Sequence, residues 1–339
     1  MAKARLFVFL LCLGASAAGA SPTTAPKIVA AANAFLATLN DAEKATLIFA
    51  PGDTAQKQRW SNLPAGIFKR AGLMWGDLKE PQRAAWLAVM RATLSAEGYR
   101  RVVDEWRADD ALARESRAGR GPDFGMGFYW IALIGKPSET ELWQWQWGGH
   151  HVTINATVAG PNVSLTPSFI GVQPATFTDA SGAVVRPLGD IERDAFALMN
   201  WLDADQQRVA TLAKRPADVV LGPGEDGKTI APAGLPAARM SDDQRAALMR
   251  LIGHYSGLAN DEDATERLSE LRAGLDQTYF AWNGPTTPGA FVYFRVTGPA
   301  LVIEYSAQGT GAGGGAQSPS HIHGIYRDPT NDYAAHFVR

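Results

Sequence analysis

From Trp143 to Trp147 the chain reads Trp-Gln-Trp-Gln-Trp. A period of two places three indoles on one face of a β-strand and two amides on the other. Any fold that accepts this segment must therefore cover a broad aromatic face. A layer of helices packed on a sheet is the expected cover, because three exposed tryptophans in a row would leave an apolar patch on the order of several hundred Å², rare on a soluble monomer without a ligand. The other use of such a row is as a platform on which sugar rings stack while the glutamines bond their hydroxyls. Both uses remain open at this point.

The surrounding sequence supplies helices. Apolar residues at helical spacing occupy residues 26–49 (Ile28, Ala31, Phe35, Leu39) and 81–97 (Trp86, Leu87, Met90, Leu94), and residues 99–118 predict a charge-rich helix. The period then changes to that of strands over residues 128–134 and 141–157, with a turn at Gly135-Lys136-Pro137-Ser138 between them. A second round repeats this order. It predicts a helix over 190–213, a Pro/Gly-rich connector over 216–236, and a helix opened by the capping box Ser241-Asp242-Asp243-Gln244 with Leu248, Leu251, Ile252 and Tyr255 on its buried face. A helix over 262–275 and strands over 278–282 and 290–305 complete it.

The rounds also resemble each other in sequence. Tyr129-Trp130-Ile131-Ala132, with Gly135 and Pro137, resembles Tyr279-Phe280-Ala281-Trp282, with Gly284 and Pro285. The segment from Trp145 to Asn155 aligns without gaps on that from Phe294 to Glu304. This pattern predicts an α+β fold in which two related helix-then-antiparallel-sheet rounds, about residues 26–178 and 190–333, arose by internal duplication and pack into one globular unit spanning 21–339. Two unrelated hairpins of similar composition are the alternative.

Four of the six histidines fall in two clusters, His150-His151 and His321-Ile322-His323. Imidazole is the commonest protein metal ligand and trades protons near neutrality. Val152 and Ile154 have the opposite parity to the tryptophans, so a bulge at Gly148-Gly149 is expected to shift the alternation by one. His150 then joins the tryptophan face, while His151, Thr153 and Asn155 continue the face of Gln144 and Gln146. In the second round Arg295 takes the place of Gln146 and Glu304 that of Asn155. His321 and His323, two apart, share a face and can complete a polar cleft between the rounds. Gly309 to Gly315 is a flexible loop suited to act as its lid.

Residues 1–20 read as a secretory leader, with Lys3 and Arg5 in a basic start, an apolar run over 6–13 and small residues at Ala18-Gly19-Ala20. Cleavage after Ala20 leaves a chain beginning at Ser21, exported to a periplasmic or extracellular location. It also removes Cys12, which follows Leu11 rather than a small residue and so does not read as a lipidation site. The remaining chain has no cysteine to serve as staple, nucleophile or ligand. No later apolar run approaches the length of a membrane span. The formal charge of −2 with no basic stripe argues against nucleic acid. There is no Gly-x-Ser-x-Gly elbow, phosphate loop or dinucleotide fingerprint, so no nucleotide cofactor is expected.

The C-terminal run His321-Ile322-His323-Gly324-Ile325-Tyr326-Arg327-Asp328-Pro329-Thr330-Asn331-Asp332-Tyr333, with Trp147-Gly148-Gly149-His150-His151 and Ile303-Glu304-Tyr305, resembles the bacterial family catalogued as domain of unknown function 3500. The likeness covers nearly all of the chain after the leader. It implies a single-family architecture and carries no activity.

From the residues themselves, His151, His321 and His323 form a candidate three-histidine site for Zn or Cu with a position left for water. Glu304 is the candidate general base or fourth ligand, and Arg295 or Arg327 the candidate stabiliser of developing negative charge. Gln146, Asn155 and Asp328 are candidate substrate contacts. Salt bridging by Glu304 and an architectural Arg327-Asp328 pair are the competing readings. Metal-dependent hydrolysis of a small or oligomeric substrate is the leading function. The alternatives are carbohydrate binding or cleavage on the tryptophan strand, and a metal-binding accessory protein without turnover.

Overall fold

The computed structural model describes residues 24–115, 123–309 and 318–337. The leader and nearly all of the glycine-rich loop after Gly309 lie outside them. The first round contains α1 (Thr24–Ala37), α2 (Asp41–Leu47), β1 (Ile48–Phe49), α3 (Thr54–Lys57), β2 (Leu73–Met74), α4 (Glu80–Thr93) and α5 (Ala96–Glu115). Its strands follow as β3 (Trp130–Ile134), β4 (Trp143–Gly148), β5 (Val152–Ala159), β6 (Asn162–Ser164) and β7 (Ser168–Val172). A small hairpin of β8 (Phe177–Thr178) and β9 (Val184–Val185) leads to the second round. That round holds α6 (Gly189–Trp201), α7 (Ala204–Ala210), β10 (Leu235–Pro236), α8 (Asp242–Ser256), α9 (Asp261–Ala273), β11 (Tyr279–Asn283), β12 (Tyr293–Gly298), β13 (Leu301–Gln308) and β14 (His321–Arg327). The fold is α+β, and one twelve-stranded sheet joins the rounds in the order β1-β3-β4-β5-β7-β14-β13-β12-β11-β10, with β2 beside β3 and β6 beside β5.

Helix boundaries differ from the periodic reading where a polar side chain competes for the backbone. The expected helix over 26–49 is two helices, because Asn40 accepts from the Glu43 amide while its own amide donates to the Glu43 carboxylate. Asp203 and Gln206 divide the helix expected over 190–213 in the same reciprocal way. Short polar side chains favour such caps over helix interiors. Ser241 opens α8 with the capping box its sequence spells out.

The largest correction concerns the strands over 141–157 and 290–305. Each is a tight antiparallel hairpin, β4 with β5 and β12 with β13, and no bulge is needed at Gly148-Gly149. Trp147 lies opposite Ile154 and Val296 opposite Ile303. Residues directly opposite in a hairpin share a face, which accounts for the parity change by reversal of the chain. Gln146 pairs with Asn155, and Arg295 with Glu304. Ile131 faces Trp147 while Phe280 faces Val296, so Trp130 takes the register of Tyr279; the match of Tyr129 with Tyr279 is one residue out.

Trp143, Trp145 and Trp147 are each 0 % exposed. Trp86 of α4, Trp106 of α5 and Trp75 pack edge-on against this face, so the row is core and is not available for stacking sugars. The opposite, polar face is crossed by segments from both rounds. Gln56 donates to Gln146 at 2.9 Å. The amides of Val220 and Leu221 donate to Glu304 at 2.8 and 2.7 Å. Trp60 and Val219 close over Phe169 and Ile325 at the centre. The expected cleft is thus a continuous sheet face under two covering segments.

Candidate metal centre

The β4–β5 turn carries the first histidine cluster. Gly149 donates to the Val152 carbonyl at 3.1 Å, leaving His150 and His151 at the tip. His151 has φ 70°, in the left-handed region that most residues enter only at a cost of about 1–3 kcal/mol. Its neighbours hold it there. Tyr129 donates its hydroxyl to the His150 carbonyl, and Arg70 donates to the Gly149 carbonyl at 2.6 Å. A side chain at Gly149 would meet the Tyr129 ring at 2.6 Å. The turn gives its two adjacent histidines different partners. His150 Nδ1 lies 2.9 Å from Asp109 on α5, whereas His151 Nε2 lies 2.7 Å from His321 Nε2.

The second cluster arrives on β14, where His321 and His323 share a face and His323 lies opposite Gly171. A Cβ at Gly171 would collide with the His151 and Ile322 carbonyls and the Phe169 ring, at 2.8–2.9 Å, so a glycine is needed where turn and strand meet. One nitrogen from each of His151, His321 and His323 falls within 4.8 Å of the others.

Protonation suits an ion. His323 Nδ1 lies 2.8 and 2.9 Å from the two Asp218 oxygens. A carboxylate only accepts, so the Nδ1 facing Asp218 carries a proton, which leaves Nε2 as the nitrogen able to turn to an ion, the orientation by carboxylate found behind metal-ligating histidines. Burial, followed by the neighbouring histidines, holds His151 well below the ordinary imidazole range. Burial and His323 bring His321 down to about 3. Burial alone would raise Asp218, but the hydrogen bond and charge of His323 hold it below its ordinary value. Neutral imidazoles are what a metal requires. At 2.7 Å the facing nitrogens of His151 and His321 cannot both carry protons, and His151 Nδ1 is buried with no hydrogen-bond partner. Three imidazoles with no thiolate or carboxylate fit Zn or Cu.

Asp109, His150 and His151 form a second close set. The His150 and His151 rings lie 3.5 Å apart with 34° between their planes. In-plane lone pairs of rings stacked in this way run side by side and do not converge, so this set supports His151.

The other sequence candidates are placed elsewhere. Glu304 is fully buried and accepts from Val220, Leu221 and Tyr293. Arg295 reaches the Ala231 carbonyl at 3.3 Å. Arg327 binds the Leu221 and Gly222 carbonyls and pairs with Asp226 and Asp332. Asp328 pairs with Arg267 at 2.7 Å and caps Thr330. Gln146 and Asn155 bond each other, the Lys57 carbonyl and the Pro167 carbonyl. Three strand spacings, about 14 Å, separate the Gln146/Asn155 hairpin from that of Arg295 and Glu304, so these residues do not form one cleft. Asp218 and Asn62, whose Nδ2 lies 3.4 Å from His323 Nε2, escaped sequence reasoning. Both come from covering segments without periodicity or motif, and only the fold brings them to β14.

A family model described as protein of unknown function DUF3500 matches residues 21–335. The chain belongs to this family. The two histidine motifs that carry the resemblance are the segments that meet at the centre. Neither the curated proteins nor the solved structures contain a match to this DUF3500 chain. No helix among its described residues is long and apolar enough to cross a membrane.

The lowered His321 value has a measurable sign. Unfolded histidine takes a proton near pH 6.5, folded His321 near 3. Between these values the unfolded state holds more protons, so the stability contributed is complete above about pH 6.5 and is lost as pH falls toward 3. Allowing for the partial exposure of His321, the expected loss in metal-free protein is roughly 2–3 kcal/mol between pH 7 and 4. Urea unfolding of wild type and His321→Asn at both pH values checks this. Equal pH slopes in the two proteins would show that His321 does not contribute.

Proposed function

We propose that this protein is a metal-dependent hydrolase acting on a small or oligomeric substrate, with Zn or Cu held by His151, His321 and His323. The observation that carries the reading is the convergence of three imidazoles, from a hairpin turn and a distant strand, on one point backed by a carboxylate. His321 is the partly exposed member, whereas His151 and His323 are 1 % and 5 % exposed, so solvent and substrate reach the centre from the His321 side. A bound ion would supply Lewis acidity and lower the pKa of its water to about 7.

The chain's own residues position the ligands. Asp218 fixes the His323 ring, and Asp109 holds His150 behind His151. Glu304 grips the amides of Val220 and Leu221, two and three residues beyond Asp218, so we assign it a positioning role in place of the general base. Arg327, bonded to Leu221 and Gly222, fastens the same segment. The near-complete burial of two ligands favours a second reading, a protein that holds or hands on the ion without turnover.

The equal registers of the two hairpins, the paired helix breaks at Asn40 and Asp203, and the third-position Gln82 and Gln244 that each accept from the residue before α4 and α8 support an internal duplication. The leader pattern supports export with cleavage after Ala20. Tag-free protein from the export compartment should begin at Ser21 by intact mass and carry about one equivalent of Zn or Cu per chain. Its hydrolytic activity on an ester or amide panel should disappear on chelation and return with the ion. Protein that retains no metal and takes up neither ion on titration would exclude both metal readings.

A further inference from the structure

Arg70 stands apart from the metal centre as a buried cation without a partner anion. It is 8 % exposed, and its Nη2 faces the carbonyls of Ser61, Leu63 and Gly149 at 2.6–2.7 Å. Nε and Nη1 have no partner. The guanidinium carbon lies 5.4 Å from the Phe68 ring and 5.7 Å from the Trp130 ring. Among the described residues no carboxylate pairs with it, and Asp109 and Tyr129 act on it only through longer-range charge. Burial lowers its proton affinity to about 10, which leaves it charged at neutral pH.

Beside Arg70, between the sheet and the covering segment, is a cavity of about 20 Å³ lined by Gln56, Trp60, Trp130, Gln146 and Thr153. That is room for about one or two water-sized groups. The Thr153 hydroxyl is also without a partner. We propose that this cavity binds a small monovalent anion of halide size, held by Arg70 and the Thr153 hydroxyl.

A buried, unpaired charge is costly to keep. A water in the cavity would satisfy a hydrogen bond but leave that charge uncompensated, whereas a volume of about 20 Å³ matches a single halide-sized ion. Gln56, which also lines the cavity, has an Oε1 without a donor, and the remaining room admits a water that joins it to the anion. Because Arg70 also holds the Gly149 carbonyl, an anion that fixes the guanidinium fixes the base of the histidine turn. The site does not depend on the metal reading.

Crystals of the full mature chain grown in sodium bromide test it by anomalous scattering at the bromine edge. The expected result is a bromide peak in this cavity, within hydrogen-bonding reach of Arg70 and Thr153. In solution, replacing sodium gluconate by sodium bromide at equal ionic strength should raise the wild-type melting temperature along a saturating curve, as expected for a ligand of the folded state. Arg70→Gln should abolish that dependence and Thr153→Val weaken it. If Arg70→Gln does not fold, the wild-type crystal and Thr153→Val decide. A cavity that is empty or holds only water in bromide, or a bromide response unchanged in Thr153→Val, overturns the proposal.

Discussion

Replacing His323 by alanine should abolish zinc and copper binding near neutral pH while the protein still unfolds in a single cooperative transition. His323 is the member of the three whose ring is most firmly fixed, with Nδ1 against both Asp218 oxygens and Nε2 directed away from them. Removing it takes away one of the three proposed ligands, and among the described residues no other carboxylate or histidine joins the set. The fold should tolerate the change, because the Asp218 side chain is 40 % exposed and the freed carboxylate can be hydrated. Asp218→Ala separates ligation from orientation. It leaves three imidazoles but releases one ring, and affinity should fall about 10–100-fold, the usual cost of losing a partner behind a ligand. Competition against a chromophoric chelator measures both variants. Wild-type affinity in His323→Ala would remove this histidine from the centre, and an unchanged Asp218→Ala would make the carboxylate contact incidental.

How much of this centre is legible in the sequence depends on the range of the interactions involved. Parity separates His150 from His151, and their hydrogen bonds do run to Asp109 on α5 and to His321, but the two rings lie 3.5 Å apart and are not divided between opposite faces. The means was misread, since two residues at a hairpin tip and an extra residue in a continuous strand change parity alike. Gly148-Gly149 fits either, and only the pairing of Trp147 with Ile154 separates them. The caps at Asn40 and Asp203 lie within four residues of what they bond, so their signals were present although the apolar period ran across them. Strand β7 escaped because Ser168–Val172 is five residues lying between prolines at 167 and 174, too short for a period to stand out. Asp218 is the extreme case. It meets His323 across 105 residues of chain, and nothing local marks it.

Trp147→Ala should destabilise the protein by about 4–5 kcal/mol, toward the top of the range for deleting a buried indole. The side chain is 0 % exposed, and its ring lies 4.8 Å from Trp106, 5.3 Å from Tyr129, 5.4 Å from Trp75 and 6.3 Å from Trp86. Four aromatic neighbours from α4, α5, β3's approach and the 75–77 turn cannot all collapse into the space it leaves, and each aromatic pair contributes about 0.5–1.5 kcal/mol beyond its buried area. The indole Nε1 makes no hydrogen bond, so the loss is one of packing alone. Against a total stability of about 5–15 kcal/mol, a change of this size brings the chain close to unfolding at physiological temperature. The consequence extends to the candidate metal centre. Tyr129 packs on Trp147 and holds the His150 carbonyl, so a loosened Tyr129 relaxes the turn that keeps His151 in its left-handed conformation. Trp147→Phe, which refills part of the volume, should recover roughly half of the stability and most of the metal affinity. Denaturant unfolding with the metal removed, followed by metal titration of the folded variants, separates the two effects. Near-wild-type stability in Trp147→Ala would mean that the aromatic face is not the tightly packed core its burial implies.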